Sequence, residues 1–264
     1  MADETPVVII TGASTGIGRA IALNYASQGA RVTIQARDRI ALEKVAREAM
    51  SAGGVCIAEA GDATNADDCA RLIERTKKEF GRIDILVNNA GRGYYAGVRE
   101  IDLDELAKLF ALNVIAPLRL TQLALDDLEK SKGVVVMMSS IAGVAAVPKM
   151  GAYAATKFAL EAMSMSMRAE LTLKDVAVVV VRPGPVDTPF RDNSLTKGVE
   201  AGVRPTGSKV QSAEEVADLV VRAVRSRSSV VETSLFVNLG SFASRVLPPI
   251  FRMATARMAK QKGQ

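Results

Sequence analysis

The chain contains no histidine. That absence excludes Ser-His-Asp and Cys-His nucleophilic catalysis by this chain, and it excludes histidine-ligated zinc and iron sites. Acid–base chemistry near neutral pH must therefore fall to another group with a shifted pKa. Aromatic residues make up only 4% of the chain, too few for the stacking surface of an RNA-binding face, so no nucleic-acid partner is expected. The two cysteines, Cys56 and Cys69, form neither a CxxC pair nor a metal cluster. They read as reduced core or helix residues, and no metal is expected. No apolar run approaches the ~20 residues that span a bilayer. The start, Met1-Ala2-Asp3-Glu4-Thr5-Pro6, lacks the basic residues, long apolar stretch and cleavage site of a signal peptide. The expected location is cytoplasmic.

What is present fits a globular chain with a sizeable core: 264 residues, 48% hydrophobic and 24% charged. No repeat, low-complexity tract or linker breaks it, so residues 1–264 are read as a single domain. The formal charge of +5 is unevenly placed, because residues 233–264 hold Arg245, Arg252, Arg257, Lys260 and Lys262 and no acid. Those five cations account for the whole excess, and the remainder is formally balanced.

Short apolar runs alternate with longer helical stretches. Val7–Thr11, Arg31–Ala36, Val55–Glu59, Ile83–Asn88, Gly133–Ser139 and Val176–Arg182 read as strands. Most are continuously apolar, as strands of a parallel sheet covered on both faces are. Helical periodicity fills Ile17–Gln28, Ala41–Ala52, Ala66–Phe80, Leu103–Lys130 and Tyr153–Leu173. The alternation predicts an α/β fold, a Rossmann-type doubly wound parallel sheet with helices on both faces. Asp102-Leu103-Asp104-Glu105 and Ser212-Ala213-Glu214-Glu215 carry capping-box patterns at helix starts. The irregular stretch Pro185–Gln211, with 191–211 as an expected substrate loop, is long enough to suggest function.

Between the first strand and first helix stands Thr11-Gly12-Ala13-Ser14-Thr15-Gly16-Ile17-Gly18. Glycines let a backbone turn tightly against a pyrophosphate, and the helix start offers unpaired N–H groups and a favourable dipole. The spacing is G-x-x-x-G-x-G, and a plain strand–helix turn is the competing reading of any such loop. Its position inside a βαβ unit favours a dinucleotide. The second strand ends Gln35-Ala36-Arg37, without the acid that binds ribose hydroxyls and repels a 2′-phosphate. Arg37 can pair with that phosphate through two parallel hydrogen bonds, so NADP(H) is expected over NAD(H). Asp38 is expected to cap the following helix.

Tyr153-Ala154-Ala155-Thr156-Lys157 places a phenol and an ammonium on one helix face. A nearby cation favours phenolate, which predicts a lowered pKa for Tyr153 and a usable acid–base group without histidine. Taken alone the pair is common by chance. Ser139-Ser140, Asn88-Asn89-Ala90-Gly91 and Pro183-Gly184-Pro185-Val186-Asp187-Thr188 all end strands, and Asn113 follows in a long helical region. Open parallel sheets bind ligands at that carboxyl edge.

With these five motifs in order from about Val7 to Phe190, the chain resembles a short-chain dehydrogenase/reductase of the classical type. The resemblance implies that Tyr153 donates a proton to a carbonyl in reduction, or accepts one in oxidation. Lys157 would lower the tyrosine pKa and hold the nicotinamide ribose. Ser140, thirteen residues before the tyrosine, would steady the substrate oxygen, and Asn113 would support a water-linked proton relay. Gly12, Ser14, Thr15, Gly16, Ile17 and Gly18 would carry the pyrophosphate. Asp62 would contact adenine, Asn89, Ala90 and Gly91 would line the cofactor, and Pro183, Gly184, Val186 and Thr188 would hold the nicotinamide end. A small carbonyl or alcohol substrate and a homo-oligomer, dimer or tetramer, follow from the same likeness.

The chain departs from that pattern twice. The glycine loop carries Ser14-Thr15 where many NADP-preferring members place a basic residue. The usual ending, a final strand and a glycine-rich acidic turn, is replaced by Val230–Asn238, so the likeness says little about 191–264. From Phe242 to Lys260 apolar and basic residues alternate around Pro248-Pro249. This stretch reads as an amphipathic helix making peripheral contact with an anionic membrane or covering the substrate cleft, or as a helix packed on its own domain or a partner subunit. Tyr94-Tyr95, Met150 and Phe190 are candidate substrate contacts suited to an apolar ketone, and Arg191, Lys197, Arg204 and Lys209 read as solvated cations. A cofactor-binding sensor without turnover is the rival function, although the Tyr–Lys–Ser set is complete. Epimerases and dehydratases of nucleotide sugars share the pair but usually need a larger C-terminal domain.

Overall fold

The computed structural model describes residues 5–198 and 210–247, together with 249, 251, 253 and 255–257. Arg204, Lys209, Pro248, Ile250, Arg252, Met258, Lys260 and Lys262 lie outside the described residues. The first strand, β1 (Val7–Thr11), is buried at every position. It is followed by α1 (Gly16–Ser27), β2 (Arg31–Ala36), α2 (Arg39–Ser51), β3 (Val55–Ala60), α3 (Ala66–Phe80) and β4 (Ile85–Asn88). The chain continues through β5 (Tyr94–Ala96), α4 (Leu103–Phe110), α5 (Ala116–Ser131), β6 (Val134–Met138), α6 (Gly151–Leu171) and β7 (Ala177–Arg182). Then come β8 (Leu195–Lys197), α7 (Ala213–Arg225), β9 (Val230–Glu232) and α8 (Leu235–Val246).

Seven strands form one parallel sheet in the order β3-β2-β1-β4-β6-β7-β9. Because successive side chains in a strand point to opposite faces, Val8 and Ile10 of β1 join one buried cluster and Ile9 the other. Helices α1, α2 and α7 cover the first face through residues such as Ile21, Leu42 and Val220. Helices α3, α5 and α6 cover the second through Leu72, Leu120 and Leu160. This two-faced burial explains the unbroken apolar runs of the central strands. Strand order reverses between β1 and β4, and that switch point opens a crevice at the carboxyl ends of the strands.

Local chemistry sets the ends of the helices. Asp38 accepts from the Ala41 N–H at 3.0 Å and starts α2, as expected. Ser212 and Glu215 form a full reciprocal capping box at α7. At α4 only half of a box exists: Asp102 accepts from Asp104 and Glu105, while the Glu105 carboxylate is drawn to Arg92 and Lys108. Gly81, in the left-handed region at φ 74°, ends α3.

Three expectations change. The helix expected over 103–130 is α4, a π turn over Ala111–Ile115, and α5. Pro117 has no N–H for the Asn113 carbonyl, which favours the wider turn. Val230–Glu232, expected to replace the usual final strand, is itself the seventh strand, paired in parallel with β7; it leads directly into α8 instead of an acidic turn. Third, the helical stretch Leu103–Ser131 meets the length and mean hydropathy of a membrane span. Leu109, Leu120, Ala124 and Leu128 within it are buried in the protein core, which makes it a packing helix.

Candidate active site

The glycine loop is shaped by its contacts with β4. Gly12 and Gly16 have φ of 65° and 55°, a region that costs L side chains strain. A Cβ on Gly12 would lie 2.8 Å from the Ala90 Cα, and one on Gly18 only 2.4 Å from the Gly12 oxygen. Asn89 clamps this turn, donating from Nδ2 to the carbonyls of Thr11 at 2.9 Å and Gly12 at 3.0 Å. The Thr11 hydroxyl in turn accepts from the N–H groups of Asn89 and Ala90, each at 3.1 Å.

Thr15 stands at the N-cap of α1 without a side-chain cap, and the first turn of α1 holds no acid. Its own first turn therefore supplies no anion to these N–H groups and the dipole, which fits a pyrophosphate. Ile17 packs against the core beneath the loop, and Ser14 is half-buried. Arg37 is exposed at the carboxyl end of β2, beside the Asp38 cap. Asp62 accepts from the N–H and the hydroxyl of Thr64, both at 2.8 Å. These residues, at the carboxyl ends of β1 to β4, fit an elongated dinucleotide.

The loop after β7 closes the other side of the crevice. Thr188 packs over Gly16, where a Cβ would meet its Cγ2 at 3.1 Å. Val186 and Asp187 are fixed by backbone pairing with Gln211. Pro185, Val186, Asp187, Thr188, Arg191 and Val210 are among the residues lining a crevice of about 400 Å³. Gly184 accepts the close approach of Val237 from α8, and the Pro183 carbonyl accepts from Ile141 at 3.0 Å, tying this loop to the segment after Ser140.

The polar centre lies where β6 meets α6. Tyr153 is buried, with the ring of Phe190 at 5.9 Å and that of Tyr95 at 6.4 Å between centroids. Met150 and Phe190 pack against the cluster of Ala142, Tyr153 and Ala154. Tyr94 points elsewhere: fully buried, it accepts from the Asp102 N–H at 2.8 Å and packs with Leu109 and Ala152. The Ser140 hydroxyl accepts from the Ala142 N–H at 3.1 Å and is close enough to the Tyr153 phenol to favour its ionised form. Ser139 is turned inward, its buried Oγ beside Gly143, where a Cβ would come within 2.7 Å.

Lys157 is buried and donates from Nζ to the Met138 carbonyl at 2.7 Å. Burial holds its pKa down to about 8, against a smaller opposing pull from Glu161. The expectation of a lowered Tyr153 pKa is overturned. Burial pushes the phenol well above its ordinary value, Tyr95 adds to the rise, and the nearby Ser140 hydroxyl opposes it. The physical reason is desolvation: charged phenolate is disfavoured in an apolar pocket, and the lysine charge is turned to a backbone carbonyl.

Asn113, in the π turn, is almost fully buried. It accepts from the Arg92 N–H and donates to the Arg92 carbonyl and the Thr156 hydroxyl, each at 3.0 Å. A Cβ on Gly91 would touch its Oδ1 at 3.2 Å and approach the Lys157 Nζ at 3.7 Å. Asn113 thus fixes the chain that passes in front of Lys157.

Residues 6–198 match the sequence profile of the short chain dehydrogenase family. The chain belongs to that family. Across 251 residues it is 33% identical to 11-beta-hydroxysteroid dehydrogenase A of Arachis hypogaea, covering 94% of this chain and 69% of that protein. General stress protein 39 of Bacillus subtilis is 32% identical over 243 residues, 90% of this chain and 85% of its own length. Among solved structures, an alcohol dehydrogenase from Thermococcus sibiricus complexed with 5-hydroxy-NADP superposes with a TM-score of 0.76 at 30% identity, over 87% of this chain and 94% of that one. A short-chain dehydrogenase/reductase from Burkholderia phymatum in complex with NAD reaches 0.82 at 24% identity, over 91% and 93% of the two chains, and supports the fold.

For a short-chain dehydrogenase, three features of this site lay outside the motif reading. Thr11 and Thr156 act through hydroxyls that hold Asn89 and Asn113. Beneath Lys157 lies a buried charge cluster in which Arg182 donates twice to Glu161 and once to Glu232, each at 2.9 Å. Glu161 follows Lys157 by one helical turn, a spacing visible in the sequence, whereas Arg182 depends on the pairing of β7.

Proposed function

We propose that this short-chain dehydrogenase exchanges a hydride between NADP(H) and an apolar ketone or its alcohol, with NADP(H) preferred over NAD(H). The observation that carries this reading is the burial of the Tyr153 phenol between Tyr95 and Phe190, with the Ser140 hydroxyl beside it. A bound nicotinamide would supply or accept the hydride at the carbonyl carbon. Ser140 orients the carbonyl oxygen, and Tyr153 hands its proton to that oxygen as the hydride arrives. A phenol held protonated by burial is suited to the reductive direction, because the acid form is fully populated at neutral pH. Lys157 would hold the ribose of the bound cofactor, and Asn113 steadies the route by which the phenol's proton is replaced.

Tyr95, Phe190 and Met150 form apolar walls around the phenol, which favours a bulky apolar substrate over a charged one. That one relative is named for a hydroxysteroid agrees in character. The NADP(H) preference rests on Arg37 and on the lack of an acid at the end of β2. Self-association through the outer helices is supported by large apolar side chains left exposed there: Ile115 before α5, Leu123 on α5, and Phe158 and Met165 on α6.

The test is NADPH oxidation across a panel of ketones, aldehydes and quinones, run beside NADH and a Tyr153→Phe control. Turnover that prefers NADPH and apolar ketones and is lost in the control is the expected result. Tight NADPH binding with no turnover on any substrate would replace this reading with a sensor.

A further inference from the structure

The turn after β3 lies at the carboxyl edge of the sheet, at the far end from Tyr153. Strand order places β3 and β2 on one side of β1, and β4, β6 and β7 on the other. A dinucleotide with its pyrophosphate on the glycine loop after β1 and its nicotinamide beside Tyr153 therefore lays its adenosine across the ends of β2 and β3. Asp62 stands there. Thr64 takes Oδ1 of its carboxylate, through its N–H and its hydroxyl, each at 2.8 Å. Among the described residues no hydrogen bond engages Oδ2, which leaves an acceptor for a donor such as the amino group of a purine.

An acceptor recognises a ligand only where it is held in place. Three hydrogen bonds set the backbone of this turn. Asp68 accepts from the Asp62 N–H at 2.7 Å, the Cys69 thiol donates to the Ala63 carbonyl at 3.2 Å, and Arg119 donates from Nη1 to the Thr64 carbonyl at 2.8 Å. Asp68 and Cys69 belong to α3, into which the turn leads, and hold it to its own helix. Arg119 differs. It comes from α5, 55 residues further along the chain, and ties the turn to the helix packed beside α3.

The ordinary role of an arginine at this place is a solvated cation. Ile115 and Leu123, one helical turn before and after it, are both exposed. Arg119 is instead half-buried, and its guanidinium goes to a main-chain oxygen. Fixing so long a side chain costs rotamer entropy, and what it secures is the peptide at the end of the Asp62 turn. The same helical stretch carries Asn113, six residues earlier, in the π turn. It thus holds the chain in front of Lys157 through Asn113 and the turn after β3 through Arg119.

We propose that Arg119 is a positioning residue for the adenosine end of the cofactor, fixing the Asp62–Thr64 turn so that Asp62 meets the purine. Arg119 acts through the turn and touches neither cofactor nor substrate. The proposal rests on the cofactor reading of the crevice and adds to it a residue outside the glycine loop and the strand ends.

The experiment compares the native chain with Arg119→Met, which keeps the apolar stem, and Arg119→Lys, which keeps a charged donor. Calorimetry with 2′,5′-ADP and 5′-ADP, the adenosine ends of NADP and NAD, reads this end alone, and steady-state kinetics with NADPH reads the whole site. Arg119→Met should weaken both nucleotides and raise the KM for NADPH by about five- to tenfold. Its kcat at saturating NADPH should stay within about twofold of native. Arg119→Lys should recover most of the lost affinity. A tie that only stabilises the fold would lower the melting temperature and leave the affinity of the folded protein unchanged. Native affinity for both nucleotides in folded Arg119→Met, or a loss of kcat without a rise in KM, overturns the proposal. If the methionine variant does not fold, Arg119→Gln takes its place. A native chain that binds the nucleotides but turns over no substrate removes the oxidoreductase reading and leaves this proposal to be decided by the affinities. A native chain that binds neither nucleotide overturns both.

Discussion

The Lys157 ammonium lies 5.8 Å from the centre of the Tyr153 ring, yet its hydrogen bond goes to the Met138 carbonyl. The two groups therefore meet desolvation separately. Burial raises the phenol and lowers the ammonium, so each is pushed toward its neutral form. Proton counting gives the sign of the stability effect. Between about 8 and the ordinary lysine value of 10.5, the unfolded chain holds a proton that folded Lys157 has released. Stability contributed at this site thus rises as pH climbs through that window, and the desolvation cost is present in full below it. Urea unfolding without added cofactor should show this rise in the native chain relative to Lys157→Met, and the variant should be at least as stable at neutral pH while losing turnover. Parallel pH profiles for the two proteins would remove the argument.

Beneath that lysine, Glu161 and Arg182 form a buried two-pronged pair that Glu232 extends. Removing the shared cation leaves Glu161 as an uncompensated buried charge, so Arg182→Met should cost about 3–5 kcal/mol in denaturant unfolding. Replacing the whole cluster, Glu161→Met and Arg182→Met with Glu232→Gln, should recover most of that loss, since no ion of the cluster remains to be desolvated. A triple variant as unstable as the single one would show that the cluster contributes more than charge neutralisation.

The glycine loop allows a sharper steric test. A Cβ at Gly18 would collide with the Gly12 carbonyl and with the Asn89 amide at 2.5 Å. Backbone cannot yield there without opening the turn that Asn89 clamps. Gly18→Ala should destabilise the fold by about 1–3 kcal/mol and abolish NADPH binding by calorimetry. Gly29→Ala, where a Cβ meets nothing within 4 Å, should leave binding intact although its positive φ costs some stability. Equal binding by both variants would contradict the assigned role of the loop.

How much of this could be read from the sequence depended on whether the signal was local. The strands at Val7, Val134 and Val178 announce themselves because both faces are buried and each run is continuously apolar. The Asp38 and Ser212 caps are likewise local. The Tyr153–Lys157 pair shows in its helical spacing, but its electrostatics do not. These follow from Tyr95 and Phe190, which reach the phenol from 58 and 37 residues away along the chain. The same holds for Val230–Glu232, too short to signal a strand until β7 pairs with it. Tyr94 and Tyr95 are adjacent in sequence yet part company because alternate residues of β5 face opposite sides.

The proposed NADP(H) preference rests on Arg37, which stands exposed at the end of β2 while its neighbour Asp38 is engaged with the Ala41 N–H. That capping bond commits the carboxylate to the start of α2. A charged hydrogen bond to the 2′-phosphate is worth about 1.5–3 kcal/mol, on the order of ten- to a hundredfold in affinity. Arg37→Gln should weaken NADPH binding by that factor and leave NADH binding unchanged, so that the two cofactors converge. Asp38→Asn, which keeps the cap and removes the charge, should improve NADPH modestly and leave the fold intact. Titration of both cofactors against the three proteins decides the matter: parallel losses for NADPH and NADH in Arg37→Gln would assign the arginine to the shared adenosine moiety and leave the preference without a carrier.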